Sequence, residues 1–527
     1  MTSKNTNTSN LISAKELNSW QFRLIALYPL LYTILFLLAP IIFALLHQVT
    51  IAIILLILLA INWAFRSFQT LYGIFIGYIL YKKNKKVNWY NKLKQLTIPK
   101  KWKQLPNPQE LPRSWQDFHV AIIIPTYKEP YDVLDKTLTA IINSNYDLEK
   151  IHVVIAMEQR GGDVPQQNFK KLKKKFGSTI KLYGYTHPTD IPNEVIGIAG
   201  PNLTYAAKQF SKELKKQHIP FKNVLMIKYD SDTRIHPNFL ANLTVRYLLD
   251  SNRFQKFYST AIILYSNNIW RVTNFSRVFW MLLSFVILAS WQTLKHRAIS
   301  FSIYGFNFQT LVDIGYWDTV VGIDDTEFFI QAFLKYKTNF QGQMIYTPVY
   351  MDAVEGSNIK NTIKNLFKQQ VRWGAGVVLA PITIKKILND PDIKLWTKIR
   401  WTLYFIESYS LIPAASYLLA FGMPIILLFN NYLTYLTAGY MVPRLLETML
   451  KTTSIFAFGI LYIILKMYQE ANKDTRWPFW IRFFITYIEF YLVSINSIVF
   501  SLIPYTWAQI KILLGKYGKF HIVQKNT

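Results

Sequence analysis

Apolar positions along the chain follow two different rhythms. Leu24–Leu46 is an almost uncharged run, and after the polar pair His47-Gln48 a second run extends over Ile51–Leu80. Each is long enough to cross a bilayer as a helix, and the second predicts a helix that continues into the cytosol. Arg66 lies well inside it, placed either to snorkel or to pack against protein. From Phe118 to about Gly374 the rhythm shortens. Val120–Ile124 is a buried strand stopped by Pro125, and helical spacing follows over Val133–Ile142. Ile151–Ile155 and Val224–Ile227 are further strands. Strands alternating with amphipathic helices predict an α/β fold with a mainly parallel sheet, whose ligands bind beyond the strands' C-terminal ends. Glu129, Glu158, Asp230 and Asp232 all fall at or just past such ends.

Val278–Leu294 is an apolar run inside this region. As a single crossing it would put Asp232 and Asp325 on opposite faces of a membrane, so it is read as a buried or interfacial helix that docks the domain on the bilayer. Gly376–Arg400 mixes apolar residues with Lys385, Lys386, Lys394, Lys398 and Arg400, and its Asp390-Pro391 predicts broken helices along the membrane surface. Apolar segments then follow at Thr402–Phe421, Pro424–Met441, Thr453–Tyr468 and Phe483–Pro504. The second is interrupted by Asn430-Asn431 and is open to merging with the first. Glu407, Glu489 and Asn496 lie in these segments. Ionisable groups there cost several kcal/mol when facing lipid, so they are expected to face protein or a channel.

Composition narrows the reading. The 527-residue chain is 51% hydrophobic, 16% aromatic and without cysteine, which excludes disulfides, zinc–thiolate sites and thiol nucleophiles. Its formal charge of +29 concentrates beside apolar runs: residues 82–117 carry ten Lys/Arg against Glu110 and Asp117. That pattern fits the positive-inside rule and anionic lipid headgroups, and no nucleic-acid motif accompanies it. The first apolar run is too long for a cleavable signal and lacks a small-residue cleavage site, so it reads as a retained anchor. The expected plan is a cytosolic tail (1–21), a transmembrane pair (22–81), a basic linker (82–117), a catalytic domain (118–375), interface helices (376–400), about four transmembrane helices (401–508) and a basic cytosolic tail (509–527). The chain is thus expected in a plasma (inner) membrane, with its domain cytosolic.

Three groups carry chemistry. Asp230-Ser231-Asp232 ends an apolar strand, and two carboxylates one residue apart suit Mg²⁺ or Mn²⁺ shared with a diphosphate. Asp324-Asp325 follows Gly315-Tyr316-Trp317-Asp318, opening a helix where Asp325 can serve as a base or an N-cap. Gln369-Gln370-Val371-Arg372-Trp373 combines a phosphate-gripping guanidinium, a stacking face and two amides. In this order, between apolar spans, they describe a sugar-transferring enzyme.

These motifs resemble those of membrane-integrated family 2 glycosyltransferases, the class that includes cellulose, chitin and hyaluronan synthases. The resemblance runs from Phe118 to Trp373. It implies a GT-A-like domain, with Thr126, Tyr127, Glu129, Glu158 and Asp230 at the nucleotide and Asp230 and Asp232 at the metal. It further implies Asp325 as base with Asp324 orienting it, and Gln369, Gln370, Arg372 and Trp373 toward acceptor and diphosphate. The implied donor is a nucleotide-sugar, a UDP-sugar first among them, and the acceptor is a glycan or a lipid-linked sugar. Two departures stand out. Glu158-Gln159-Arg160 replaces the family's Asp. Ile198-Ala199-Gly200-Pro201-Asn202 lacks its Lys, a charge that Lys208 or Arg160 is placed to supply. The tail Phe520–Lys525 is similar to a cellulose-synthase gating loop, with Phe520 and Lys525 matching. The leading expectation is an inverting, metal-dependent transferase that extends and extrudes a polysaccharide. The alternatives are a non-processive transferase acting on a lipid or lipid carrier, and a multi-pass transporter with a soluble domain. Protein partners are not legible.

Overall fold

The computed structural model describes residues 10–96, 115–294, 299–430, 437–471 and 477–517. Its strands are β1 (His119–Thr126), β2 (Ile151–Glu158), β3 (Lys181–His187), β4 (Val224–Lys228), β5 (Arg234–Ile235), β6 (Lys256–Thr260), β7 (Ile263–Leu264), β8 (Tyr304–Asn307), β9 (Gln341–Ile345) and β10 (Val349–Tyr350). Seven form one sheet in the order β3-β2-β1-β4-β8-β6-β9. Only β8 runs antiparallel to its neighbours. The domain is therefore α/β and mainly parallel, as the alternating pattern predicts. β2 and β4 are buried along their whole length, which is why they read as unbroken apolar runs.

Strand order reverses between β1 and β4, because β2 lies on one side of β1 and β4 on the other. A crevice opens at the C-terminal ends of such a pair. The antiparallel β8 sets Tyr304 opposite Lys228, which brings the residues just before β8 to the same crevice. A second sheet, β5-β10-β7, closes one side of it. Since β10 is antiparallel to β5, the residues after β10 return beside Asp232.

Among the described residues, five helices are long and apolar enough to cross a membrane: Trp20–Leu45, Val49–Lys85, Asn274–Thr293, Leu395–Phe429 and Phe479–Leu513. A further long helix covers Thr437–Ala471. The apolar segments expected after the domain are redrawn. Leu395–Phe429 continues through Pro424 and stops at Asn430, whose backbone leaves the helical region (φ −142°, ψ 85°). Three of the polar residues inside these helices are anchored by specific partners. Arg66 pairs with Glu407, which settles its two readings in favour of packing against protein. Arg277 pairs with Glu489 at 3.1 Å, and the Asn496 amide donates to the Phe275 carbonyl at 3.0 Å.

Both ends of Asn274–Thr293 are tied to the α/β domain. Ser276 Oγ donates to the Val354 carbonyl and Tyr346 OH donates to Gln292, each at 2.9 Å. Along its length this helix packs on Val49–Lys85 at two glycines. A Cβ on Gly73 would lie 2.6 Å from the Ala289 carbonyl oxygen, and one on Gly77 would lie 2.5 Å from the Leu288 side chain. Small residues let the two backbones approach this closely. The far end of the first helix pair packs instead with Leu395–Phe429 in a separate apolar cluster that includes Ala44, Ala52, Leu56, Leu418 and Ile426.

Candidate active site

One cavity of about 210 Å³ collects residues from every motif. Thr126, Tyr127 and Glu129 after β1, Glu158 ending β2, Lys228, Asp230 and Asp232 at the end of β4, Asp324 and Asp325, and Gln369, Arg372 and Trp373 all line it. Gln370 does not. On the Ile359–Gly374 helix, positions 369, 372 and 373 share a face, whereas Gln370 belongs to the buried stripe Thr362, Leu366, Gln370, Gly374. Phe520 and Lys525 lie outside the described residues.

The nucleotide-side residues are held locally. Glu129 accepts from Thr126 Oγ1 at 2.7 Å and from the Tyr127 amide at 2.6 Å, closing the turn that follows β1. Glu158 pairs with Arg160, and that guanidinium stands 5.5 Å from the centre of the Tyr127 ring. Burial raises the Glu158 carboxyl above the ordinary range, against the opposing pull of Arg160. The segment lacking the family's Lys supplies Ile198, Ala199 and Asn202 to the cavity wall. The Asn202 amide donates to the Ala156 carbonyl at 2.7 Å. Position 200 has to be glycine, because a Cβ there would lie 2.0 Å from the Asp318 carbonyl oxygen. Lys208 sits over the Tyr316 ring, away from the cavity lining, so it does not replace the absent charge.

Sequence reasoning missed Lys228, the buried last residue of β4. Its ammonium lies 2.8 Å from Asp230 Oδ1 and 3.1 Å from Asp324 Oδ2, and it donates to the Ser302 carbonyl at 3.2 Å. The available signal was a lysine inside an otherwise apolar strand. Ser302 is a second link between the acidic groups: its hydroxyl donates to Asp230 Oδ2 and its amide to Asp325 Oδ2. Asp352 was also missed. Its amide donates to Asp232 Oδ2 at 3.0 Å, and its carboxylate accepts from Asn267 at 2.8 Å.

Asp325 is not the helix N-cap; Ile323 holds that position. The Asp325 carboxylate accepts from the Ser302 and Thr326 amides at 2.9 and 2.6 Å. Burial, with Asp324 adding repulsion, pushes it up to about 6, against the opposing pull of Lys228 and the two amides. The loop before it is braced from distant parts of the chain. Asp318 accepts from the Leu11, Val320 and Val321 amides, Asn10 bonds Thr319, and the Gly322 amide donates to Tyr517 OH at 3.0 Å.

The opposite wall is aromatic. Trp280, from the Asn274–Thr293 helix, crosses Trp373 at 90° with centroids 5.9 Å apart, and Phe301 approaches Trp373 at 6.3 Å. Phe279 continues the surface, 6.4 Å from both Trp373 and Phe500. Among the described residues no three His, Cys, Asp or Glu side chains already converge on a metal position.

No family model matches the chain, and no curated protein sequence matches it. Among solved structures it is similar to a mannosyltransferase from Pyrobaculum calidifontis in complex with GDP-Man and Mn²⁺, at 15% identity and a TM-score of 0.39, covering 80% of this chain and 100% of that one. It is also similar to S. aureus TarS 1–349 in complex with UDP-GlcNAc, at 12% identity and a TM-score of 0.35, covering 77% and 95%.

Proposed function

We propose that this chain is an inverting, metal-dependent glycosyltransferase of the family 2 type, built on a GT-A-like domain at the cytosolic face of a plasma (inner) membrane. In this reading it moves a sugar from a nucleotide-sugar, a UDP-sugar first among them, to a growing polysaccharide and delivers the product across the membrane. The observation that carries this is the convergence, on one crevice, of a strand-end carboxylate pair, a buried carboxylate poised near neutrality and an Arg/Trp helix end.

The residues fit a divalent ion of the Mg²⁺ or Mn²⁺ kind. Asp232 and Asp230 supply hard oxygens at the mouth of the crevice, and an ion held by one or two carboxylates completes its shell with phosphate oxygens and water. When bound, such an ion neutralises charge that develops on the diphosphate leaving group. Lys228 adds a fixed positive charge beside Asp230, and Arg372 is placed to grip phosphate oxygens in a bidentate way. Thr126, Tyr127, Glu129 and Glu158 form the nucleotide end.

At the acceptor end Asp325 takes the proton of the attacking hydroxyl. That oxygen bonds to C1 of the donor sugar as the C1–O bond to the diphosphate breaks on the opposite face, which inverts the anomeric centre. A carboxyl near 6 suits this role, because it is ionised at neutral pH yet basic enough to hold the proton. Trp373, Trp280 and Phe301 offer stacking faces for acceptor sugars.

The test is nucleotide release and product mass from purified protein in lipid against UDP- and GDP-sugars. Asp232→Asn is expected to lose metal-dependent turnover while still folding and inserting. Full turnover in that variant, or undiminished turnover in excess EDTA, rules out the metal role, and no release from any donor rules out the reaction.

A further inference from the structure

Where the domain meets the Phe479–Leu513 helix, two guanidinium groups flank one indole. Arg277 and Arg482 lie 5.4 and 5.3 Å from the centre of the Trp270 ring. Arg277 is neutralised by Glu489. Arg482 is 4% exposed and has no ion-pair partner among the described residues, and its buried Nε has no hydrogen-bond acceptor. The same patch holds further orphaned polar atoms: Trp270 Nε1, Thr273 Oγ1 and Asn496 Oδ1. A cation removed from water without a counter-charge is strongly unfavourable, so a buried guanidinium left over after pairing calls for an anion.

The surroundings indicate which anion. Trp480 and Phe484, each two residues from Arg482, are exposed on the other face of the same helix, and Trp477 is 50% exposed just before it. Exposed tryptophans at the start of a long apolar helix are the composition of a membrane–water interface, where the amphipathic rings sit at headgroup depth. Arg271, next to Trp270, is exposed and adds a second positive charge. A guanidinium seated on an indole, on a helix whose outer face carries interfacial aromatics, matches a phosphate oxygen pair carried at headgroup depth.

We propose that Arg482 and Trp270 form a binding site for the phosphate of a membrane phospholipid, clamping the catalytic domain to the bilayer at this helix. The site stands whether or not the chain transfers sugar. It lies close to the cavity in sequence and space: Asn268, two residues before Trp270, binds the Ala353 carbonyl at 2.9 Å and the Glu355 carboxylate at 3.2 Å, and both residues line the cavity wall.

Native mass spectrometry of the full chain, released from mixed micelles, tests this with phosphatidylglycerol, diacylglycerol of the same acyl chains, and inorganic phosphate as probes. Wild type is expected to retain phosphatidylglycerol over diacylglycerol by about fivefold, the scale of one basic residue at an anionic surface. Arg482→Gln brings the ratio close to one, whereas Lys216→Gln on the domain surface leaves it unchanged. Arg482→Gln removes an unpaired buried charge, so it is expected to fold. Arg482→Lys, which keeps the charge without the planar fork, falls between the two. Equal retention of both lipids by wild type overturns the site, as does a wild-type ratio in both Arg482 variants. Displacement of phosphatidylglycerol by inorganic phosphate makes it a free-anion site and overturns the lipid assignment.

Discussion

Lys228 sits between Asp230 and Asp324, and its charge opposes the upward shift that burial and Asp324 impose on the Asp325 carboxyl. Burial raises the Asp325 carboxyl to about 6 while Lys228 pulls it back. A base must be ionised, so the turnover rate of the proposed transfer should fall as pH drops through about 6 and level off above it. Lys228→Met removes the opposing pull and should move that limb to higher pH, which a pH–rate profile reads directly. Asp325→Asn keeps shape but cannot take the proton, so it should lose about 10²–10⁴-fold in rate while donor binding persists. Equal loss of donor binding in that variant would show that Asp325 holds the fold together. Trp373→Ala removes a stacking face while leaving the carboxylates in place and should shorten products. A normal product-length distribution would count against polymer extension.

At the scale of elements, the first turn of the Asp324–Lys335 helix carries a third acid, Glu327, that does not line the cavity. Glu327 is fully buried, and burial, with Asp318 beside it, raises its carboxyl well above the ordinary glutamate value. One oxygen accepts from the Asp318 amide at 2.6 Å and the other has no partner. A group whose folded pKa is raised binds its proton more tightly in the native state. Its stabilisation is complete below the unfolded value and is lost as pH rises through the folded one. Resistance of the wild type to thermal unfolding should therefore weaken toward alkaline pH. Glu327→Gln, already neutral and still an acceptor, should remove that dependence at little cost near pH 7. Glu327→Ala should cost about 1–3 kcal/mol by leaving the Asp318 amide unpaired. A Gln variant as unstable as the Ala variant would mean that the carboxylate is ionised in the fold.

For the whole molecule, the contacts of the chain ends bear on topology. Asn10 and Leu11 bind the Asp318–Thr319 loop and Tyr517 binds Gly322, so both described ends lie on the domain's side. Glu470 near the end of Thr437–Ala471 pairs with Lys82 and Lys85 at the end of the second helix, at 2.6 and 2.7 Å. We infer four crossings from these contacts, Trp20–Leu45, Val49–Lys85, Leu395–Phe429 and Thr437–Ala471, the last of which is not among the five helices selected by length and apolarity. Asn274–Thr293 and Phe479–Leu513 then stay with the domain, although both are apolar enough to cross. The chain has no cysteine, so single introduced thiols report cleanly. In intact cells an impermeant reagent should label Gln48→Cys, and should reach Ser357→Cys and Lys516→Cys only after permeabilisation. Labelling of Ser357→Cys from outside would overturn the arrangement.

The sequence by itself determined whatever local pattern controls. Apolar runs marked the first helix pair, β1, which continues through Pro125 to Thr126 where the pattern predicted a stop, and β4, which ends just before the Asp230 turn. The motif residues fell at strand ends and at two helix ends, because side-chain period and chain-breaking residues act over a few positions. The same locality explains what stayed hidden. Length and hydropathy are alike for helices that cross and helices that stay with the domain, so only contacts such as Ser276–Val354 and Tyr346–Gln292 separate them. Lys228, Ser302 and Asp352 read as ordinary strand and loop residues until β8 and β10 are laid beside β4 and β5. Their roles depend on which strands become neighbours, and that is set by burial of the whole sheet rather than by any short stretch of sequence.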